Sequence, residues 1–338
     1  MKYKPLGKSG IEASVVSLGT WAVGGWMWGG TSSENDAVRA IHAAIDNGIS
    51  MIDTAPVYGM GYAEELVGKA IRGKRDKVVL ATKCGLIWHL EKGVHFFNTD
   101  EKCVSESGNK KVYRCLSPEI IRYEIENSLN RLKVNTIDLY QTHWQDSSTP
   151  IEDTMAELMK LKEEGKIRAV GVCNATSTEM DEYMKKGELD SDQELYNILD
   201  RDADKANLPY CRNNKMAFLS YSTLALGLLS GKIDSQRKFN EGDMRNNLPR
   251  FTEEGRRKIR AMLDDFEQIA DGHNINVAQL ALAWAFHQPG CTHVLAGARK
   301  KEHAVENAKA GNVVLRQDEL KEMKRIIEKH SSGIAPRK

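Results

Sequence analysis

A closed parallel (β/α)8 barrel, an α/β fold, is the architecture this sequence predicts, and three observations carry it. Short β-branched runs alternate with helical patterns along nearly the whole chain, giving eight β-then-α units. No Gly/Pro/Ser-rich linker interrupts them, so residues 1–338 read as one domain. An open doubly wound sheet is the rival, but the GxGxxG turn it would carry after its first strand is missing, and SLGTWAVGG (17–25) stands there instead.

Taken in order, LGKSGIEAS (6–14) reads as a small N-terminal β-hairpin closing the barrel bottom. VVSLG (15–19) is the first barrel strand, followed by a helix opening near SSENDAVRAIHAAIDNG (32–48). SMIDTA (50–55) precedes the helix AEELVGKAIRG (63–73). KVVLATK (77–83) leads through a long loop to SPEIIRYEIENSLNRL (117–132), where Ser117 suits an N-cap because its hydroxyl can accept from an unpaired first-turn N–H. TIDLYQTH (136–143) and IEDTMAELMKLKEEGK (151–166), then IRAVGVCN (167–174) and STEMDEYMKKG (177–187), continue the rhythm. DSDQELY (190–196), MAFLSYS (216–222) and THVLAGA (292–298) complete the strands, with VAQLALAWAFHQ (277–288) and KEHAVENAKA (301–310) as helices. DSDQELY is unusually polar for a buried strand, which places Asp190 and Asp192 near the barrel mouth or bottom. An extra C-terminal helix, DELKEMKRIIEKH (318–330), lies over the outside, and SSGIAPRK (331–338) reads as a loose tail.

Two connections, 84–116 and 223–252, run to about 33 and about 30 residues against a usual handful. Both follow a strand, so in a barrel both belong to the C-terminal face, where barrel active sites are built.

Composition narrows the function. The chain has 338 residues, 41% hydrophobic and 28% charged, an ordinary balance for a soluble protein able to bury a full core. A net charge of +1 without blocks of like charge argues against nucleic acid or an anionic membrane surface as partner. The N-terminal residues MKYKPLGKSG lack an apolar signal region and no apolar stretch approaches a membrane span, so a cytoplasmic location is expected. The six cysteines form no CxxC pair and read as reduced thiols, with Cys84 and Cys173 buried near strand ends. His89, His95, Cys103 and Cys115 share the long third loop, but their spacing is far from the close pairs of zinc sites, and no metal is expected.

Three consecutive strands end in ionisable residues: Asp53, Lys83 and His143, with Tyr58 just beyond the first. Each alone has an ordinary structural role open to it; together on one face they suit a definite chemistry. A phenol, ordinarily near pKa 10, donates a proton around neutrality only beside a positive charge, which Lys83 would supply. Asp53 would hold that ammonium, and His143 would donate a hydrogen bond to an oxygen becoming negative. No nucleophile is paired with a base. A carbonyl that is polarised and protonated while a nicotinamide delivers hydride fits this set.

On these residues the chain resembles an aldo-keto reductase over essentially its whole length. MIDTAPVYG (51–59) resembles the family signature in which Asp53 and Tyr58 are catalytic; ATKCG carries the matching Lys83, and LYQTHW the matching His143. GVCNAT, DQELYNILDR, SYSTLALGLLSGK (220–232) and GARKKEHAVENAKA (297–310) match in order and spacing. The likeness is greatest to a bacterial group with a long third βα loop, here TKCGLIW…FFN…YRCLSPE. The resemblance implies a TIM barrel that reduces an aldehyde, ketone or keto-sugar with NADP(H), NAD(H) being the weaker expectation. It implies that Asn174 and Gln193 hold the nicotinamide carboxamide, that Tyr221 stacks on the ring, and that Ser222, Leu224, Gly227, Leu228 and Lys232 clamp the pyrophosphate. Arg299 would meet the 2′-phosphate and Glu306 and Asn307 the adenine, with Thr20, Trp21, Asp53, Gly297 and His303 as further cofactor contacts. His303 and Thr223 depart from the usual Gln and Pro. Two other activities remain open: a sugar or polyol dehydrogenase, and a cofactor-binding redox-sensing subunit.

Five of six tryptophans fall just beyond strand ends on one face. Trp26, Trp28, Trp88 and Trp144 are the candidates to cover a sugar ring or an apolar carbonyl compound. Trp284 and the helix-spaced Met155 and Met159 read as core.

Overall fold

The structure, a computed structural model, describes residues 1–30 and 33–337. β1 (Tyr3–Pro5) and β2 (Glu12–Ser14) pair antiparallel as the N-terminal hairpin. Leu6, Ile11 and Ala13 pack against Met51, Ala81, Leu139, Ala169, Leu219 and Leu295 inside the barrel, so the hairpin plugs one end of it. β3 (Val16–Gly19), β4 (Met51–Asp53) and β5 (Val79–Cys84) open the barrel. β6 (Leu86–Ile87), β7 (Val94–Thr99) and β8 (Lys110–Arg114) form a separate antiparallel sheet in the order β6-β8-β7, so the long third connection is a folded wall. β9 (Ile137–Thr142), β10 (Ile167–Cys173), β11 (Ser191–Leu195), β12 (Ala217–Tyr221) and β13 (His293–Gly297) complete the barrel. The eight barrel strands close in chain order and are parallel throughout, so every predicted strand takes its predicted place.

Helices α1 (Glu34–Asp46), α2 (Tyr62–Ile71), α3 (Pro118–Leu132), α4 (Ile151–Glu163), α5 (Ser177–Met184) and α6 (Asn207–Asn214) follow successive strands. α1 shows how they form. Ser33 Oγ accepts from Asp36 N at 3.1 Å, and Ala37, Ala40, Ile41, Ala44 and Ile45 bury one helical stripe. α7 (Glu253–Gly272) precedes α8 (Val277–Phe286) and α9 (Lys301–Ala310), and α10 (Gln317–Ser331) packs on α7. α10 is the expected extra C-terminal helix, and α7, which follows the loop after β12, is a further one beside it. α6 escapes the periodic reading because it buries little besides Leu208 and Cys211 and carries Pro209 in its first turn, where proline is tolerated. Ser117 does occupy the N-cap of α3, but its hydroxyl makes no cap bond and lies 3.5 Å from Cys115 Sγ.

Asp190 and Asp192 are fully buried. Asp190 Oδ2 accepts from Val170 N at 3.0 Å and lies 3.6 Å from Lys162 Nζ. Asp192 faces outward from β11 toward α6, where its Oδ2 accepts from Asn207 Nδ2 at 2.9 Å. Among the described residues no helix is long and apolar enough to cross a membrane.

Candidate active site

Strand alternation directs Ala81 and Lys83 of β5 into the barrel, while Thr82 faces α2 and donates to Glu64 Oε1 at 2.7 Å. Register sets Asp53 of β4 beside Ala81, so the carboxylate and the ammonium meet at the end of the barrel opposite the hairpin. Lys83 Nζ donates to Asp53 Oδ2 at 2.7 Å and Oδ1 at 2.9 Å, and to Thr54 O at 2.9 Å. Its remaining reach is toward Tyr58 Oη at 3.4 Å. Gln193 Nε2 and Gln141 Nε2 also donate to Asp53 Oδ1, at 3.0 and 3.4 Å.

Tyr58 comes from the turn after β4, and backbone contact places it. A Cβ on Gly24 would stand 3.0 Å from Tyr58 O, and one on Gly59, whose φ is +65°, would stand 2.8 Å from Gly24 O. Glycine at both positions lets the two loops touch main chain to main chain. Trp21 stacks on the Tyr58 ring at 6.2 Å, and His143 meets it edge-on at 5.7 Å. His143 N donates to Cys84 O at 2.8 Å, which ties the histidine to the end of β5.

Burial raises the Tyr58 phenol to about 12; Lys83 lowers it without reversing this, and Asp53 adds to the rise. The net lowering expected from the sequence is therefore absent, because phenolate loses its hydration here and Asp53 offsets much of the lysine charge. Burial works against the Lys83 ammonium, yet Asp53 and Tyr58 hold it above lysine's ordinary value. His143 is held well below its ordinary 6.5, by burial and then by Lys83, so the imidazole is neutral.

Tyr58 and His143 line a cavity of about 1090 Å³. Asn174, Gln193, Tyr221, Ser222, Leu224, Gly227, Lys232, Gly297, Arg299, His303, Glu306 and Asn307 line the same cavity, and Thr20, Trp21 and Asp53 also border it. Ser222, Ala225, Leu226 and Gly227 all have positive φ, a tightly wound backbone of the kind that can turn N–H groups toward an anion. Leu228 is an exception: it is buried in the hydrophobic core and does not line the cavity.

Residues 15–328 match the family model of the Aldo/keto reductase family. The chain belongs to that family. Aldo-keto reductase YhdN of Bacillus subtilis (strain 168) is 38% identical over 331 residues, 97% of this chain and 94% of that protein. The NADH-specific methylglyoxal reductase of Escherichia coli (strain K12) is 39% identical over 333 residues, 97% and 99% of the two chains. Among solved structures, the glycerol dehydrogenase AKR11B4 from Gluconobacter oxydans superposes with a TM-score of 0.85 at 39% identity, covering 99% of this chain and 97% of that one. An aldo/keto reductase from Klebsiella pneumoniae in complex with NADP and acetate gives 0.69 at 27% identity, covering 100% and 98%.

In this aldo/keto reductase the tryptophans divide. Trp26, Trp28 and Trp144 line the cavity, whereas Trp88 does not and instead packs edge-on against His89. Trp26 is anchored, its Nε1 donating to Thr99 Oγ1 at 2.9 Å on β7. The buried indole nitrogens of Trp21 and Trp28 have no partner among the described residues, which leaves two donors at the cavity wall for a bound molecule.

Other lining residues carried no signal in the sequence. Arg245 stacks on Trp28 and Phe239 at 4.9 and 4.3 Å and pairs with Asp243 at 2.6 Å, so it braces the loop after β12 against the loop after β3. Arg337 reaches the cavity from the tail that reads as loose, and Arg250 Nε holds that tail through Ala335 O at 2.8 Å. Among the described residues no group of three His, Cys, Asp or Glu is arranged to hold a metal ion.

Proposed function

We propose that this chain reduces a small aldehyde or ketone, keto-sugars included, to the alcohol with NADPH. The convergence of Tyr58, Asp53 and His143 at the cavity wall, with Lys83 buried beside them, carries the reading. Tyr58 gives its proton to the carbonyl oxygen. The Lys83 ammonium stabilises the phenolate left behind, and Asp53 keeps that ammonium in place. Neutral His143 donates a hydrogen bond to the same oxygen, orienting the carbonyl. Trp21, Trp26, Trp28 and Trp144 wall the reacting group from water.

The donors lining the cavity fit a nicotinamide dinucleotide phosphate, since they include amides, a wound backbone segment and cations. When bound, NADPH supplies the hydride. Asn174 and Gln193 would hold its carboxamide, Tyr221 would face the ring, and Ser222, Leu224, Gly227 and Lys232 would hold the pyrophosphate, with Leu228 left to the backbone alone. Thr20, Trp21, Asp53 and Gly297 border the same path, and His303, Glu306 and Asn307 would meet the adenosine.

Arg299 supports NADPH over NADH. Its guanidinium is partly buried, donates to Trp28 O at 3.3 Å and makes no ion pair among the described residues, which suits a phosphate. Because one relative is named NADH-specific, the two cofactors need direct comparison. Arg299→Ala is expected to weaken NADPH binding by about 10- to 100-fold and to leave NADH within about twofold. Fluorescence titration measures both, and equal affinities in the parent enzyme would remove the preference. A panel of small aldehydes, dicarbonyls and keto-sugars, followed by NADPH absorbance, tests the activity itself.

The similarity to a glycerol dehydrogenase structure favours one second reading, oxidation of a polyol in the same site. The raised phenol separates the two by pH. Reduction needs the protonated phenol and neutral imidazole, so its rate should stay flat between about pH 6.5 and 9. Oxidation needs the phenolate, so its rate should climb with pH over that range. A reduction limb centred near neutrality would contradict the neutral His143.

A further inference from the structure

Ala175 follows Asn174 directly, and a partly buried polar group outside the barrel wall holds both its N–H and its C=O. Glu194 Oε1 accepts from Ala175 N at 2.9 Å. Asn207 Nδ2 donates to Ala175 O at 2.9 Å and to Asp192 Oδ2 at 2.9 Å. Asp192 and Glu194 lie on the outward face of β11, two residues apart, so their carboxyl groups meet between that strand and α6. Asp192 Oδ1 is buried and, among the described residues, has no partner unless Glu194 brings it a proton. One proton between the two carboxyl groups satisfies that oxygen and leaves a single buried charge, which the Asn207 amide meets. Burial holds both carboxyl groups above their ordinary range, with Asp192 pushing Glu194 further.

On the inner side, Asn174 adopts a left-handed φ of 54°, a region that few residues other than glycine and asparagine enter. Its Nδ2 donates to His143 O at 2.9 Å, and its Oδ1 accepts from Tyr221 Oη at 2.8 Å. A turn held in that conformation needs its flanking peptide fixed.

We propose that Glu194, Asp192 and Asn207 are positioning residues for the nicotinamide end of the cofactor, acting through Ala175 on Asn174. The proposal rests on the reading that Asn174 grips the carboxamide. Glu194 touches neither substrate nor cofactor; it sets the angle at which Asn174 meets them. Glutamine can replace it, since its Oε1 accepts from Ala175 N and its amide donates to Asp192 Oδ1. Alanine cannot.

The test compares NADPH with its 3-acetylpyridine analogue, in which a methyl ketone replaces the carboxamide, using dissociation constants from fluorescence titration. Glu194→Ala should weaken NADPH about tenfold, and Glu194→Gln should restore it to within about twofold. The penalty of Glu194→Ala should shrink to about twofold for the analogue, because the grip it loosens is already reduced there. Equal penalties for the two cofactors would reduce Glu194 to general support of the fold and overturn the proposal. If Glu194→Ala does not fold, Asn207→Ala carries the same comparison with an expected loss of about threefold. Asn174→Ala separates the two readings. If it leaves NADPH affinity unchanged, the carboxamide assignment fails and this proposal with it. If it weakens NADPH while Glu194→Ala does not, the positioning role alone fails.

Discussion

Tyr58→Phe is expected to lower kcat for carbonyl reduction about a thousandfold, the range of a lost general acid, while NADPH affinity stays within about twofold. The substitution removes one oxygen and little else. The ring keeps its stacking on Trp21 and its edge contact with His143. Lys83 keeps both oxygens of Asp53 and the carbonyl of Thr54, so losing a contact at 3.4 Å leaves no buried charge unpaired. The fold should therefore survive, and lost activity reports the missing proton rather than a collapsed site. Steady-state rates beside a cofactor titration check this. A variant retaining more than about a tenth of parental kcat would remove Tyr58 as the proton donor.

The main residues of this site are legible along the chain for a geometric reason. Parallel strands of period two, closed in chain order, bring every strand end to one rim, so Asp53, Lys83 and His143 can be placed together without a contact being known. What lies across the barrel is not legible in that way. Gln141, next to last in β9, reads like any buried polar residue, and its bond to Asp53 depends on the register that sets it beside Lys83. Arg245 and Arg337 are ordinary loop and tail cations in sequence; pairing of Trp28 with Asp243 brings the first to the cavity, and the hold of Arg250 on Ala335 brings the second. The sheet of β6, β7 and β8 escapes differently: β7 and β8 are as long as the barrel strands, but all three pair within one connection and fall outside the β-then-α alternation. α7 is a different case. Ile259, Met262, Leu263, Phe266 and Ala270 mark a clear helical stripe, and the signal was present but lay outside the eight-unit count.

The Asp53–Lys83 pair makes the second large prediction, because the two side chains are only 3% and 1% exposed. Asp53→Asn leaves an ammonium in the barrel with no carboxylate, and loss of one partner from such a pair costs about 3–5 kcal/mol. The amide introduced there would still accept from Gln193 or Gln141, but those neutral contacts do not make up the difference. Activity should fall with stability, since the freed ammonium no longer stays below Tyr58. Lys83→Met reverses the asymmetry: Asp53 retains two amide donors, so the stability loss should be smaller, while the rate loss should be at least as large. The double variant Asp53→Leu, Lys83→Met distinguishes structure from chemistry. Replacing both members of a buried pair by apolar side chains of similar size is often neutral. More than half of the stability lost in Asp53→Asn should therefore return, and no activity with it. Denaturant unfolding and kcat, measured on all three variants, decide the point. Activity recovered along with stability would mean that the pair serves the fold and that the phenol of Tyr58 works without it.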